Sequence, residues 1–179
     1  MTTFTFPLLQ LAESLKIDSK KAEKLREMGE LINYNSYGET IDDLHFSPKT
    51  LFLALHHFAD PFDFIQTSGE LKYLLEGFRS DMCKAGETQV LIQSSVGRVF
   101  LFPNDAWSRR VSGTFSNQVA RECPELAHAI LVELPDATFL VGVRAPIERP
   151  YGADTLCLKF SGGGKSCSCR SKPSSSGRY

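Results

Sequence analysis

The hydrophobic period of the chain changes near Gly86, and this change limits the fold more than any other feature of the sequence. Before Gly86, apolar residues recur three and four positions apart, which is the spacing of an amphipathic helix. After Gly86, apolar and other residues alternate, as they do in a strand with one buried face. The sequence therefore predicts an α+β fold, in which an N-terminal helical segment is followed by a small mixed β-sheet with packed helices.

The first half of the chain contains several sequence signals for the start of a helix. Asp18 and Ser68 are residue types that accept a backbone hydrogen bond at a helix N-terminus. Ser47-Pro48 and Asp60-Pro61 combine such a residue with a proline at the first helical position, where the missing N–H costs nothing. The helix predicted after Asp18 has an apolar face formed by Ala22, Leu25, Met28 and Ile32.

The second half predicts strands arranged around one helix. A tight turn at Val96-Gly97 joins the first two strands into a hairpin, and Pro135-Asp136 joins the last two. In chain order the predicted elements are strands over residues 89–95 and 98–103, a helix from Asp105 to about Glu122, and strands over 127–134 and 138–145. The segment from Thr88 to Arg144 therefore predicts the order β-β-α-β-β.

Composition narrows the classes of protein to consider. Hydrophobic residues make up 42% of the sequence and include 13 Phe, which is enough for a packed core. The formal net charge of -1 provides no overall field that attracts nucleic acid or an anionic membrane, so such binding would need a local patch. No apolar run reaches the roughly 20 residues that span a bilayer, and the N-terminus has no basic leader. We expect a cytoplasmic protein without membrane attachment, whose five cysteines are reduced thiols.

Two histidines and two cysteines are the candidate metal ligands. His56 and His57 are adjacent on a predicted helix, so their side chains point about 100° apart and do not converge on one ion. Cys167 and Cys169 are spaced C-x-C, whereas structural zinc sites use a wider spacing and a second pair. We therefore predict that this chain holds no metal.

The chain contains the residue types of a hydrolytic triad in Asp105, His128 and either Ser108 or Ser112. No G-x-S-x-G turn, which would expose a serine nucleophile, supports it. We interpret the serines as the surface of a helix and predict no catalytic residue.

The run Gly162-Gly163-Gly164-Lys165 is the most suggestive local feature. Glycines let backbone N–H groups approach an anion closely, and lysine adds a positive charge. The run is not a P-loop, because the first glycine of G-x-x-x-x-G-K-[ST] is missing. Spacing alone favours a flexible linker.

Nearby arginines favour an anion site instead. Arg144 ends a predicted strand, and Arg149 follows it in the run IERPYG. The guanidinium group matches the geometry of phosphate. Arg109-Arg110 are further candidates for the same patch.

Residues 139–165, FLVGVRAPIERPYGADTLCLKFSGGGK, resemble the DHH-associated C-terminal domain of DHH-family phosphoesterases, the group of RecJ-like exonucleases and oligoribonucleases. That domain has a strand ending in arginine, a short loop, a short helix ending in Phe, and a Gly-Gly-Gly-His loop. The corresponding parts here are Val141 to Arg144, Ala153 to Phe160 and Gly162 to Gly164. The resemblance implies a last helix, and so the order β-β-α-β-β-α, although the leucines in this segment also alternate as in a strand.

The resemblance implies a helical linker or extension over residues 1–87 and a DHH-associated substrate-binding domain over residues 88–165. It also implies that the catalytic domain is missing from this chain. In such enzymes that domain carries Asp-His-His and further aspartates, which hold Mn²⁺ or Mg²⁺. His56-His57 is not that signature, because Leu55 precedes it, and Lys165 stands where the family usually has His. No cofactor is therefore expected in this chain itself.

Residues 166–179 depart from the alanine- and glycine-rich continuation of the family. The run KSCSCRSK can be encoded so that loss of one adenine yields Lys-Ala-Ala-Ala-Ala-Gly-Val, which matches that continuation. Our hypothesis is a disordered, frameshifted tail; a native disordered tail is the alternative, and the serine and cysteine codons of the gene distinguish them. A frameshift would leave apolar surface uncovered, which favours a homodimer.

The function implied by the resemblance is the substrate-binding half of a DHH-type phosphodiesterase, which grips a short RNA, DNA or nucleotide and does not hydrolyse it alone. Arg144 and Arg149 would contact phosphate, Gly162, Gly163 and Gly164 would approach the substrate, and Lys165 would assist. Two alternatives stay open. One is a stand-alone nucleic-acid-binding or regulatory module, such as a translational-repressor-like protein. The other is a structural interaction domain whose glycine run is a linker.

Overall fold

The structure, a computed structural model, describes residues 18–165 and 168–171. The chain divides into two compact units, Met1–Arg79 and Ser80–Tyr179. We call the first the helical unit and the second the sheet unit. The α+β class predicted from the change of hydrophobic period is confirmed.

The helices of the first half begin where local capping chemistry predicts. Their bounds are α1 Ser19–Tyr34, a 3₁₀ turn Ile41–Asp43, α2 Pro48–His56, α3 Pro61–Thr67 and α4 Gly69–Glu87. The side chains of Ser47, Asp60 and Ser68 accept backbone N–H bonds at 3.1, 2.8 and 3.0 Å. Asp18 precedes α1 without a side-chain cap bond. The predicted starts are therefore confirmed, three of them with the cap bond that explains them.

The helical unit has its own core, and side-chain hydrogen bonds hold the connection between α1 and α2. The amide of Asn35 bonds both backbone groups of Phe46, at 2.8 and 3.0 Å, and the Tyr34 hydroxyl lies 2.7 Å from His45 Nε2. These bonds satisfy buried polar groups where the chain leaves α1. The buried core residues of this unit are Leu31, Leu51, Phe64, Leu71 and Leu74.

The sheet unit contains, among the described residues, six strands in the order β1-β2-β3-β4-β6-β5. Only β2 and β3 are parallel among these pairs; the other neighbours are antiparallel. The strands are β1 Val90–Gln93, β2 Gly97–Phe102, β3 Ala127–Glu133, β4 Phe139–Arg144, β5 Gly163–Lys165 and β6 Ser168–Ser171, and the helices are α5 Ala106–Glu122 and α6 Ala153–Leu158. The segment after β4 is thus a helix, and its alternating leucines do not form a strand.

The helices α5 and α6 pack on opposite faces of the sheet. Successive side chains of a strand point to opposite sides, so each strand presents alternate residues to the two helices. On one face the ring of Phe115 from α5 lies 5.3 Å from Phe100 and 5.5 Å from Phe102, measured between centroids. We call this the α5 face. On the other, the α6 face, Ala153 and Cys157 pack against a cluster that contains Val141, Val143 and Ala145.

The sheet extends further along the chain than the sequence predicts. The predicted domain ended at Lys165 and was followed by a tail without regular structure. In the structure Gly163–Lys165 form β5, and the backbone of Ser168–Ser171 pairs with β4 as β6. The physical reason is that the edge of β4 offers backbone donors and acceptors, which pairing satisfies with little regard to side-chain type. Residues 166–167 and 172–179 of the predicted tail lie outside the described residues.

The cysteines differ from the prediction of uniformly reduced thiols. Cys157, which is buried, is disulfide-bonded, whereas Cys83 and Cys123 are free. The prediction is wrong at Cys157, because a count of cysteines does not tell which thiols the fold brings together. Within the described part of the chain, every helix falls short of the length and apolar character that crossing a bilayer requires.

Candidate anion-binding cleft

A cleft of about 250 Å³ opens on the α5 face of the sheet unit. Strand β4 contributes Leu140, Gly142 and Arg144, which share one face because they alternate along the strand. Ile130 and Val132 of β3 lie beside them, in the register Ile130 to Gly142 and Val132 to Leu140. The floor of the cleft is therefore aliphatic at one end and carries an arginine at the other.

Arg144 is half-buried at the C-terminal end of β4. Its Nε donates to Asn117 Oδ1 at 2.9 Å, and its Nη1 donates to the Val143 carbonyl at 3.2 Å. Both of these acceptors are neutral, and the two bonds orient the guanidinium. An oriented guanidinium loses less freedom when it binds an anion than a mobile one does.

Small residues on α5 leave room between the helix and the sheet. Ser112 and Ser116 are buried one turn apart and line the cleft together with Gly113. The Ser116 hydroxyl donates to the Ser112 carbonyl at 2.7 Å. The prediction that Ser108 and Ser112 lie on the surface of a helix is wrong: both are buried, because α5 packs this side against the sheet.

The glycine run is divided between two structural tasks. Ser161 has φ of 57°, its N–H donates to the Leu158 carbonyl at 3.3 Å, and the Gly162 N–H donates to the Cys157 carbonyl at 2.8 Å. This pair of bonds is a Schellman-type helix end, so the N–H of Gly162 is engaged by α6. Gly163 and Gly164 follow in β5 and line the cleft. The structure thus brings Gly163 and Gly164 to Arg144, and the first glycine terminates a helix.

The other predicted contact residues lie elsewhere. Arg149 and Lys165 are exposed, and neither is among the described residues that line the cleft. Arg149 lies in the loop between β4 and α6, where its backbone N–H donates to the Pro146 carbonyl at 3.1 Å. Nearness in sequence to Arg144 does not bring Arg149 to the cleft, because the loop leads away toward the start of α6.

The arginine pair on α5 is committed to other partners. Arg110 Nε lies 2.7 Å from Asp81 Oδ2, and both side chains are nearly buried. Arg109 Nη1 donates to Asn104 Oδ1 at 2.7 Å. Neither residue is among the described residues that line the cleft. The sequence-based extension of the cationic patch to Arg109-Arg110 is therefore wrong.

The candidate triad residues do not meet. His128 is buried with its Nε2 3.2 Å from the Cys123 carbonyl oxygen, and Asp105 accepts from Trp107 Nε1 at 3.1 Å.

The candidate metal ligands His56 and His57 are exposed, with ring centroids 6.2 Å apart. Residues 18–165 and 168–171 contain no group of three or more His, Cys, Asp or Glu side chains that could hold a metal ion. The side chains of Cys167 and Cys169 lie outside the described residues.

Sequence reasoning missed the floor of the cleft and the residue that orients Arg144. The signal for Leu140 and Gly142 was present, because both have the same strand parity as Arg144. What the sequence does not give is which face α5 covers or the register between β3 and β4. Asn117 could not be found without them, since it lies 27 positions from Arg144 in the sequence.

Comparison with known proteins finds similarity among solved structures. No family model matches the sequence, and no curated protein matches it. One similar solved structure is a pGpG-specific phosphodiesterase, PggH, from Vibrio cholerae, with 12% sequence identity and a TM-score of 0.47. The match covers 80% of this chain and 49% of that one, so the chain spans about half the length of that structure. At this similarity the match adds nothing to the geometry of the cleft.

Proposed function

We propose that this chain binds the phosphate of a short nucleic acid or nucleotide in the cleft on the α5 face. The observation that carries the proposal is that Arg144, oriented by Asn117, lines the same cleft as the glycine backbone of β5. A fixed guanidinium next to backbone that a ligand can approach closely suits phosphate binding.

The proposal assigns substrate binding, and no bond cleavage, to this chain. The resemblance of residues 139–165 to a DHH-associated domain implies that catalytic groups belong to a separate domain. Phosphate contacts position a nucleic acid without reading its sequence, so we expect broad specificity.

The test is binding of a fluorescent 5′-phosphorylated oligonucleotide at several salt concentrations. Wild-type binding should weaken as salt rises, because phosphate contacts release counterions. Arg144→Ala should weaken binding by about tenfold or more, since hydrogen bonds to charged groups contribute about 1.5–3 kcal/mol. Arg121→Ala is the matched control: it removes the same charge from an exposed position of α5 outside the described cleft lining.

The outcomes separate the candidate functions. Equal losses for Arg144→Ala and Arg121→Ala would indicate nonspecific electrostatic binding and contradict the cleft. No binding by the wild-type chain would favour a structural interaction domain. Arg149→Ala and Lys165→Ala, measured in the same assay, decide whether these exposed residues contribute from outside the cleft.

A further inference from the structure

Gly142 occupies the middle of the cleft floor, between Leu140 and Arg144 on β4. Its φ is not positive, so the backbone conformation does not require glycine. A Cβ added there meets, among described atoms, only the Ile130 carbonyl oxygen, at 4.0 Å. Within the part of the chain that the structure describes, packing does not require glycine either. Since a glycine weakens a strand interior, its presence at an open cleft points to close approach by a ligand.

The cleft-facing residues of β4 change from cationic to aliphatic along the strand. Arg144 is the cationic end, Gly142 lies about 7 Å away, and Leu140 about 14 Å away, at the strand rise of about 3.4 Å per residue. Ile130 and Val132 extend the aliphatic surface beside these positions. A nucleotide has the same order of parts: a charged phosphate, a compact sugar and a flat base whose ring faces can lie on an apolar surface.

Few side chains in the cleft can form the hydrogen bonds to a base edge that would distinguish one base from another. The Ser116 hydroxyl already donates to the Ser112 carbonyl. Arg144 lies at the phosphate end, Ser112 contributes a second hydroxyl, and the rest of the described lining is aliphatic or glycine. The volume of about 250 Å³ is also below the range of roughly 300–1,000 Å³ that accommodates larger ligands.

We propose that Gly142 is the specificity-determining residue of the cleft, which admits the sugar and base of one terminal nucleotide while Arg144 holds its phosphate. This inference rests on the proposed function and deepens it. The base is held by apolar contact with the floor, so nucleotides of different base bind alike. A side chain at position 142 excludes the sugar and base and leaves the phosphate position open.

The test uses the full chain with the substitutions Gly142→Ala, Gly142→Val and Gly142→Leu. The probes are inorganic phosphate, ribose 5-phosphate and nucleoside 5′-monophosphates of each base, titrated by NMR or calorimetry. For the wild type we expect each monophosphate to bind about tenfold more tightly than inorganic phosphate, because the aliphatic floor takes apolar surface of the sugar and base out of water. The bases should differ by no more than about threefold, since apolar burial is not directional.

The Gly142 series should remove the nucleotide advantage in order of side-chain size and leave phosphate affinity unchanged. The unfolding temperature of Gly142→Val should stay equal or rise, because a β-branched residue suits a strand. This separates a filled cleft from a damaged fold.

Each contrary result has a distinct meaning. If Gly142→Val binds nucleotide like the wild type while Arg144→Ala does not, the inference is overturned and the proposed function stands. If Gly142→Val loses inorganic phosphate as well, or unfolds at a lower temperature, Gly142 has a structural role and the inference is overturned. If the wild type binds neither phosphate nor nucleotide, both the proposed function and the inference fail.

Discussion

The two faces of the sheet are built from the same strands, but they are filled differently. On the α6 face, Val141 and Val143 pack against Ala153 and Cys157. On the α5 face, the alternate positions of β4 border an open cleft that ends at Arg144. Neighbouring residues of one strand thus differ in their surroundings: one set packs against α6, and the other borders the cleft to which we assign phosphate binding. Mutations one position apart should therefore separate stability from binding.

The cleft is not a sign of loose packing over the whole α5 face. Phe100, Phe102 and Phe115 are buried on that face, and the Phe115 ring contacts Phe100 edge-on and Phe102 at a tilt. The open part begins where α5 presents Ser112, Gly113 and Ser116. A packed aromatic half and an open small-residue half therefore lie side by side under one helix.

The largest expected effect is a loss of stability when the aromatic packing of the α5 face is disrupted. Phe115→Ala should lower the free energy of unfolding by about 3–5 kcal/mol, because it deletes a buried ring and leaves a cavity. Urea denaturation measures the loss. Phe52→Ala, at a side chain that is 61% exposed, is the control and should change stability by no more than about 0.5 kcal/mol. A loss below about 1 kcal/mol for Phe115→Ala would contradict the described packing.

The next effect compares adjacent positions of β4. Val143→Ala should lower the free energy of unfolding by about 2 kcal/mol, because it removes buried methyl groups from the α6 face. Oligonucleotide affinity at a temperature well below unfolding should not change, because Val143 points away from the cleft. Loss of binding together with stability would show that the two faces are coupled.

A smaller effect sharpens the role assigned to Asn117. Asn117→Ala removes a bond that orients Arg144 and should weaken oligonucleotide binding by about 1 kcal/mol, with the salt dependence retained. Asn117→Asp should weaken binding more and reduce the salt dependence, because a carboxylate at Oδ1 would neutralise the guanidinium. Equal behaviour of the two variants would indicate that charge at Arg144 is unimportant.

The smallest effect concerns the end of α6. Ser161→Gly should stabilise the chain by about 0.5 kcal/mol, because glycine adopts the left-handed conformation without strain. Ser161→Ala keeps the Cβ and should bring no gain. Thermal unfolding distinguishes them, and an equal response would mean that Ser161 does not hold the φ of 57°.

Local signals made much of the fold predictable. Ser47, Asp60 and Ser68 mark their helices because a cap bond depends only on residues two or three positions away. The alternation around Val96-Gly97 likewise predicts the β1–β2 hairpin. The pairing of β6 with β4 was not predictable in this way, because it depends on an open edge that only the assembled sheet has.

The candidate cleft was predictable in part. The resemblance of residues 139–165 pointed to Arg144 and the glycine run, and the structure places Arg144 beside Gly163 and Gly164. It did not predict that Gly162 terminates α6, because that depends on the conformation of Ser161. Asn117 was out of reach, since its role depends on which face α5 covers. Gly142 shares the strand parity of Arg144, but parity alone does not tell that this face borders a cleft.

The most direct test of the central claim is an NMR titration of backbone amides with a 5′-phosphorylated dinucleotide. The account predicts saturable shift changes concentrated at residues 140–144 and 163–164, with residues 153–157 on the other face little affected. Saturable changes that cluster elsewhere, with residues 140–144 and 163–164 unmoved, would contradict it.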